Sequence, residues 1–182
     1  MPLLPKEIDI LPDGIFSLSY DSHPWNVAHV RSRQEKVLAR HLVRHEIAFY
    51  LPLMETRRKS GGRQLTSYVP LFPGYVFFRP QPGQRDLVWR SNVAANVIDV
   101  PDQELLGREL QQIRQLQLAG ASFRTELELA VGDAVQVQEG AFSGYSGVVL
   151  REKGRDRLIV QISLIRQAVS VEFERDVVAR SK

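Results

Sequence analysis

Cysteine is absent from this chain of 182 residues, and tryptophan and methionine occur only twice each. Without cysteine the protein has no disulfide, no thiolate nucleophile and no cysteine-ligated zinc or iron–sulfur site. Long apolar runs are also lacking, because none approaches the roughly 20 residues that span a bilayer. The first 21 residues carry four acids and one lysine, unlike the basic and apolar regions of a signal peptide. We therefore expect a cytoplasmic protein.

Positive charge is concentrated in the middle of the chain. Residues 22–120 contain 14 basic and 8 acidic residues, whereas residues 121–182 contain nine of each. This division favours a polyanion partner for the middle segment and a different kind of partner for the last one. A solvated basic surface is the alternative interpretation.

Strand and helix patterns alternate over residues 22–120. They predict four core strands, at 25–30, 47–54, 74–79 and 94–100. Ser32 and Glu35 have the spacing of a capping box and predict the start of a helix, and a second helix follows Pro101 and stops at Gly120. The order of elements predicts an α+β sandwich with a mainly antiparallel sheet.

Two basic features accompany these elements. Four cations and a glycine pair between Arg57 and Arg63 predict a basic hairpin tip. On the first helix, Lys36, Arg40 and Arg44 recur at every fourth position and so share one face.

A bent entry into a strand is predicted between Val69 and Phe78. Two prolines favour extended geometry before them, and Gly74 relaxes the steric limits at the bend. Tyr75 and Phe77 then project from one face of the strand, where a hydrophobic partner could dock. Burial in the core is the alternative for this face.

The last third of the chain changes character. A polar stretch at 121–128 is interpreted as a linker. Short alternating segments separated by tight turns follow, at 134–138, 147–150, 158–164 and 168–173, and predict a small β-barrel.

Three segments together resemble the NusG family of transcription elongation factors. They are Trp25 at the start of the first strand, Phe72-Pro73-Gly74-Tyr75-Val76, and residues 131–137 followed by 140–149. The resemblance implies an N-terminal extension at 1–21, an NGN domain at 22–120, a linker at 121–128 and an SH3-like KOW barrel at 129–182. Residues 51–54, 61–63 and 70–73 look closer to the specialised RfaH branch of the family than to housekeeping NusG.

The resemblance also implies partners for the first domain. Phe72, Pro73, Gly74, Tyr75 and Phe77 match the segment that docks on the β′ clamp helices of RNA polymerase. The non-template DNA strand is a second candidate partner. Arg31, His41 and Arg44 are candidate contacts because they match positions of the family's DNA face. Arg33, Lys36 and Arg40 are added on physical grounds, since they are cations nearby. These six residues are called here the cationic stripe.

For the KOW domain the resemblance implies Rho or a small-subunit ribosomal protein as partner. Ile165 and Arg166 stand where housekeeping members have an aromatic residue and a glycine, and Phe142 is the third candidate contact. This substitution weakens the case for Rho and leaves a ribosomal partner open, so it favours antitermination over support of termination. Alternation across 158–173 favours strands over the helical hairpin that the RfaH barrel can adopt. Asp86-Leu87-Val88-Trp89 occupies the region of RfaH's polymerase gate-loop motif with different chemistry.

Other functions are weighed against this one. His41 and His45 could share a metal, yet no acidic partner is evident nearby, and no Ser-His-Asp arrangement or dinucleotide motif is present. We therefore expect neither enzymatic activity nor a cofactor. The remaining alternatives are a housekeeping factor that supports Rho-dependent termination and an RNA-binding, ribosome-associated KOW protein.

Overall fold

A computed structural model describes residues 6–126, 133–137, 146–152, 155–173 and 178–180. The chain forms two compact units, Met1–Gln103 and Glu104–Lys182. No helix within the described ranges is long and apolar enough to cross a membrane. The domain boundaries expected from the sequence remain predictions.

The first unit is built on a five-stranded antiparallel sheet. The described residues of the unit form seven strands, which are β1 (Ile10–Leu11), β2 (Asn26–Val30), β3 (Ala48–Tyr50), β4 (Leu53–Ser60), β5 (Arg63–Pro70), β6 (Tyr75–Arg79) and β7 (Ala94–Asp99). Of these, β4 and β5 form a separate two-stranded sheet. The sheet order is β1-β3-β6-β2-β7, and every neighbouring pair is antiparallel. The predicted core strands and the mainly antiparallel α+β class are therefore confirmed for this unit.

Two helices cover one face of this sheet. They are α1 (Glu35–Arg44) and α2 (Arg85–Trp89). Leu38 and Leu42 of α1 and Val88 of α2 join the core cluster formed by strand residues such as Val76 and Phe78. The predicted capping box is wrong: Gln34 is the N-cap residue and makes no side-chain hydrogen bond to the helix. The carboxylate of Glu35 bonds elsewhere, as described below.

The N-terminal segment packs on the other face of the sheet. The ring of Phe16 lies 5.9 Å from that of Trp25 and 5.7 Å from that of Tyr50. Arg79 is fully buried and donates to three main-chain carbonyls, those of His23 at 2.6 Å, Ile15 at 2.7 Å and Leu18 at 2.8 Å. The extension is therefore an integral part of the first unit.

The basic hairpin is confirmed as β4 and β5. Ser60 pairs with Arg63, and Gly61 and Gly62 between them have φ angles of 55° and 76°. Positive φ at both central positions suits a two-residue hairpin turn, which explains the glycine pair. All four basic side chains of the hairpin are exposed: Arg57, Arg58, Lys59 and Arg63.

The second unit combines a long helix with a six-stranded antiparallel sheet. The helix, α3 (Gln103–Leu118), is followed by β8 (Phe123–Glu126), β9 (Asp133–Val137), β10 (Ser146–Glu152), β11 (Arg155–Ile162), β12 (Gln167–Phe173) and β13 (Val178–Arg180). The strand order is β13-β9-β10-β11-β12-β8. The predicted strands of residues 158–173 are confirmed.

Two features of this unit differ from expectation. Residues 123–126, inside the stretch predicted as a linker, form β8, which pairs with β12 from Val171↔Phe123 to Ala168↔Glu126. The described strands form a sheet in which β13 and β8 have one neighbour each, so they do not show a closed barrel. Closure into an SH3-like KOW barrel remains a prediction.

We predict that Arg79→Met destabilises the first unit by about 3 kcal/mol or more, because three carbonyls in buried or partly buried hydrogen bonds lose their donor and each loss costs about 1–3 kcal/mol. Arg79→Lys should recover only part of the loss, since one ammonium lacks the planar fork of the guanidinium. Urea denaturation followed by circular dichroism measures the effect. The exposed Arg90→Met is the matched control, and an equal loss in both variants would contradict the prediction.

Candidate functional site

The turn formed by residues 72–75, called here the Gly74 turn, is held by hydrogen bonds from two elements. The amide of Gly74 donates to Oε1 of Glu35 at 2.7 Å, and its carbonyl accepts from the amide of Val30 at 2.8 Å. Glu35 is only 5% exposed, so this charged acceptor is largely removed from water. Hydrogen bonds to a charged group are stronger than neutral ones, and the turn is therefore tied firmly to α1.

Gly74 is required at this position. Its φ angle is +87°, which side-chain-bearing residues rarely adopt. A Cβ there would lie 3.5 Å from the ring of His29, an ordinary van der Waals distance, so the backbone angle and not crowding requires glycine. The predicted bend at Gly74 is thus confirmed together with its cause.

A small aromatic surface adjoins the Gly74 turn. The rings of His29 and Tyr75 stack with centroids 5.0 Å apart and planes inclined by 27°. His29 and Pro73 are exposed, and Tyr75 is half-buried. Sequence reasoning missed His29, although the alternation of its strand already placed it opposite the core-facing Ala28 and Val30.

The other two predicted docking residues lie beneath this surface. Phe72 is 1% exposed and Phe77 is fully buried, and their rings meet edge to face at 6.1 Å. In this conformation they pack within the protein and present no area to a partner. Their assignment as direct contacts remains a prediction, whereas Pro73, Gly74 and Tyr75 reach the surface.

The predicted cationic stripe divides into free and engaged groups. Arg31, Arg33 and Arg44 are exposed and make no ion pair with any residue that the structure describes. Lys36 is half-buried. Nε2 of His41 lies 2.7 Å from the carbonyl oxygen of Leu87, so this imidazole joins α1 to α2.

Arg40 is engaged by the N-terminal segment. Its Nε donates to one carboxylate oxygen of Glu7 at 2.9 Å and its second terminal nitrogen to the other at 3.0 Å. These hydrogen bonds lower the pKa of the Glu7 carboxyl and raise the pKa of the Arg40 guanidinium. A bidentate acid therefore occupies the position where a phosphate would bind Arg40.

The predicted KOW contacts are only partly described. Ile165 ends a short 3₁₀ helix and is 9% exposed, and Arg166 follows it, exposed and in the left-handed region with φ of 53°. Phe142 lies outside the described residues. Ser163 in the same turn donates from its amide to Glu109 of α3 at 3.0 Å, so this loop is joined to the helix within the second unit.

His41 and His45, the two histidines weighed above as a possible metal pair, lie one turn apart on and just after α1. The rings of His41 and His45 lie 4.4 Å apart. No group of three or more histidine, aspartate or glutamate side chains suited to a metal ion occurs in the part of the chain that the structure describes.

Comparison with known proteins identifies the family. The family model of NusG, described as transcription termination factor, matches residues 23–115, just over half of the chain. The chain therefore belongs to the NusG family, as predicted from the sequence; the RfaH-like branch remains a prediction. No curated protein matches it significantly. The chain is also similar to a solved crystal structure, that of an MjSpt4:Spt5 complex in conformation B. The sequence identity is 13%, and the alignment covers 87% of this chain and 97% of the other. The TM-score is 0.27.

We predict that Glu35→Ala loosens the Gly74 turn, because the amide of Gly74 loses its acceptor. Loss of a hydrogen bond to a charged group should cost about 1.5–3 kcal/mol of unfolding free energy. Amide hydrogen exchange at Gly74, measured by nuclear magnetic resonance, should accelerate. The exposed Glu46→Ala is the control, and unchanged Gly74 exchange in Glu35→Ala would contradict the prediction.

A second prediction concerns Glu7. Glu7→Gln should free Arg40 and steepen the salt dependence of binding to single-stranded DNA by up to about 0.7 in log–log slope, the value for one added phosphate contact. Since its pKa is lowered, Glu7 stabilises the folded protein above its ordinary pKa of 4.5, and this contribution is lost as pH falls through the lowered value. An unchanged salt slope, measured by fluorescence anisotropy beside the control Glu55→Gln, would contradict the prediction.

Proposed function

We propose that the protein is a transcription elongation factor that binds RNA polymerase through the Gly74 turn and suppresses pausing or termination. Membership of the NusG family supports a role in transcription. The observation that carries the proposal is the Gly74 turn itself, which is fixed by Glu35 and Val30 and presents Pro73 and Tyr75 at the surface. A surface that is already ordered binds without first losing conformational entropy.

The mechanism needs no covalent step. A polymerase that pauses or terminates must loosen its hold on nucleic acid. A protein that binds the closed state more tightly than the open one shifts the population towards the closed state by its difference in affinity. The clamp helices of the β′ subunit are the proposed binding site, as the family resemblance implies.

Contact with the non-template strand is the second part of the proposal. Arg31, Arg33 and Arg44 are exposed and free of ion pairs within the described ranges, so they are available to phosphates. Arg40 becomes available when Glu7 is displaced. Such contacts give affinity that falls with salt and carry no base preference of their own.

The second unit is proposed to recruit another partner through the loop that contains Ile165 and Arg166. Arg166 is exposed and could contact a partner directly, whereas Ile165 is 9% exposed and packs within the unit. A small-subunit ribosomal protein is the proposed partner, and Rho is the alternative. Transcription through a Rho-dependent terminator separates them, since antitermination predicts more read-through and a housekeeping role predicts less.

One cavity of the first unit has a volume of about 360 Å³ and is lined by Trp25, Gln103 and several prolines. Its charged residues are Asp21, Arg85 and Asp99, and Arg85 bonds to Asp99 at 2.5 Å. No histidine, serine or cysteine lines this cavity, so it holds no Ser–His or Cys–His pair.

We predict that Tyr75→Ala weakens binding to RNA polymerase elongation complexes roughly tenfold or more, as loss of a central aromatic contact does at other interfaces. Co-purification of polymerase with tagged protein provides the measurement. Leu118→Ala is the matched control, because Leu118 is a large apolar residue that is 70% exposed on α3.

Circular dichroism must show that Tyr75→Ala retains its fold. If the folded variant binds polymerase as well as the unmodified protein does, the Gly74 turn is not the docking site. If the unmodified protein fails to bind elongation complexes at low salt, the proposed function itself is rejected.

A further inference from the structure

The two tryptophans of this chain lie in opposite environments. Trp25 is 1% exposed, whereas Trp89, the last residue of α2, is 45% exposed. An exposed indole gives up the favourable burial of a large apolar surface. Single exposed apolar residues are common and need no explanation by themselves, so the surroundings of Trp89 decide what it can do.

Trp89 lies beside the cationic helix α1. Two residues before it, the carbonyl of Leu87 contacts His41 at 2.7 Å, and four residues after it, the carbonyl of Val93 accepts from the amide of Arg31 at 3.0 Å. The segment from Leu87 to Val93 is therefore attached at one end to His41 of α1 and at the other to Arg31, which precedes α1. Trp89 falls between these two attachments.

The exposed residues near Trp89 in the chain are polar, and Asp86, one turn earlier on α2, is the acidic one among them. Arg90 follows it directly and Asn92 lies just beyond, and both are exposed. Arg90, like Arg31 and Arg44, makes no ion pair with any residue in the described ranges. A hot spot for a protein partner is surrounded by further apolar contacts that exclude water, and the neighbours of Trp89 in the chain do not supply them. Charge complementarity favours a polyanion here.

We propose that Trp89 stacks on an unpaired nucleobase while Arg31, Arg44 and Arg90 bind the phosphates of the same strand. Proteins bind single-stranded nucleic acid by this combination of an aromatic face and a positive groove. A base inside a duplex is already stacked on both sides and cannot engage the indole. The inference rests on the proposed nucleic-acid contact of α1 and adds a residue, a kind of contact and a preference for single strands.

Intrinsic fluorescence provides a direct test, because Trp25 and Trp89 are the only tryptophans. Titration of the full chain with a short oligothymidylate should quench the emission of exposed Trp89 and leave that of buried Trp25. Inorganic polyphosphate, which has charge but no base, should bind without this quenching. A duplex of the same length should quench little.

Substitutions then separate stacking from charge. Trp89→Ala should weaken binding of the oligothymidylate roughly 5- to 100-fold, the range for loss of one base–aromatic stack. Trp89→Phe, which keeps an aromatic face, should retain most of the affinity in an anisotropy titration with labelled strand. Leu65→Ala, at an apolar residue that is 48% exposed on the hairpin, should bind normally. Emission from Trp25 reports whether Trp89→Ala is folded.

The inference would be overturned by binding of the oligothymidylate without quenching, by equal affinity in folded Trp89→Ala, or by equal quenching with duplex. Absence of any binding at low salt would overturn it as well. The polymerase co-purification with Tyr75→Ala is independent of these measurements. Trp89→Ala is expected to retain polymerase, so failure of stacking and failure of the proposed function give different patterns.

Discussion

One partly buried hydrogen bond, from the amide of Gly74 to the carboxylate of Glu35, joins the two proposed binding surfaces. It joins the turn that presents Pro73 and Tyr75 to the first residue of the helix that carries the cationic stripe. A buried carboxylate is costly unless it is hydrogen-bonded, so the turn and the helix stabilise each other. A displacement of α1 by a bound nucleic acid would therefore reach the Gly74 turn through this bond.

Arg79, on the face of the sheet that the N-terminal segment covers, is a second buried charge that is stabilised by hydrogen bonds. No carboxylate of the described residues lies at hydrogen-bonding distance from its guanidinium. Three carbonyls and the rings of Tyr20 and Trp25, 5.0 and 4.9 Å away, surround it. Burial lowers the pKa of Arg79 from its ordinary value, yet an arginine remains charged in proteins. Glu35 and Arg79 are thus both charged side chains that hydrogen-bond to main-chain groups lying outside α-helices and β-strands.

Local patterns predicted elements, whereas long-range partners escaped prediction. The hairpin followed from its glycine pair, and the helix of residues 103–118 from its apolar spacing and its stop near Gly120. The spacing of Ser32 and Glu35 suggested a capping box, but Glu35 bonds to a residue 39 positions away. Lys36, Arg40 and Arg44 do lie at helical spacing on α1, yet Arg40 is paired with Glu7, 33 positions earlier. Such pairings depend on the tertiary fold, which no local spacing encodes.

The short strand β1 protects the edge of the sheet. It pairs with β3 through Ile10↔Tyr50 and Leu11↔Phe49, and the carbonyl of Asp9 accepts from the amide of Leu51 at 2.7 Å. A shortened protein that began at Trp25 would leave the main chain of β3 open beside buried aromatic residues. Open edges of this kind recruit strands from other molecules, so self-association would be the cost of trimming a segment that carries no recognisable family motif.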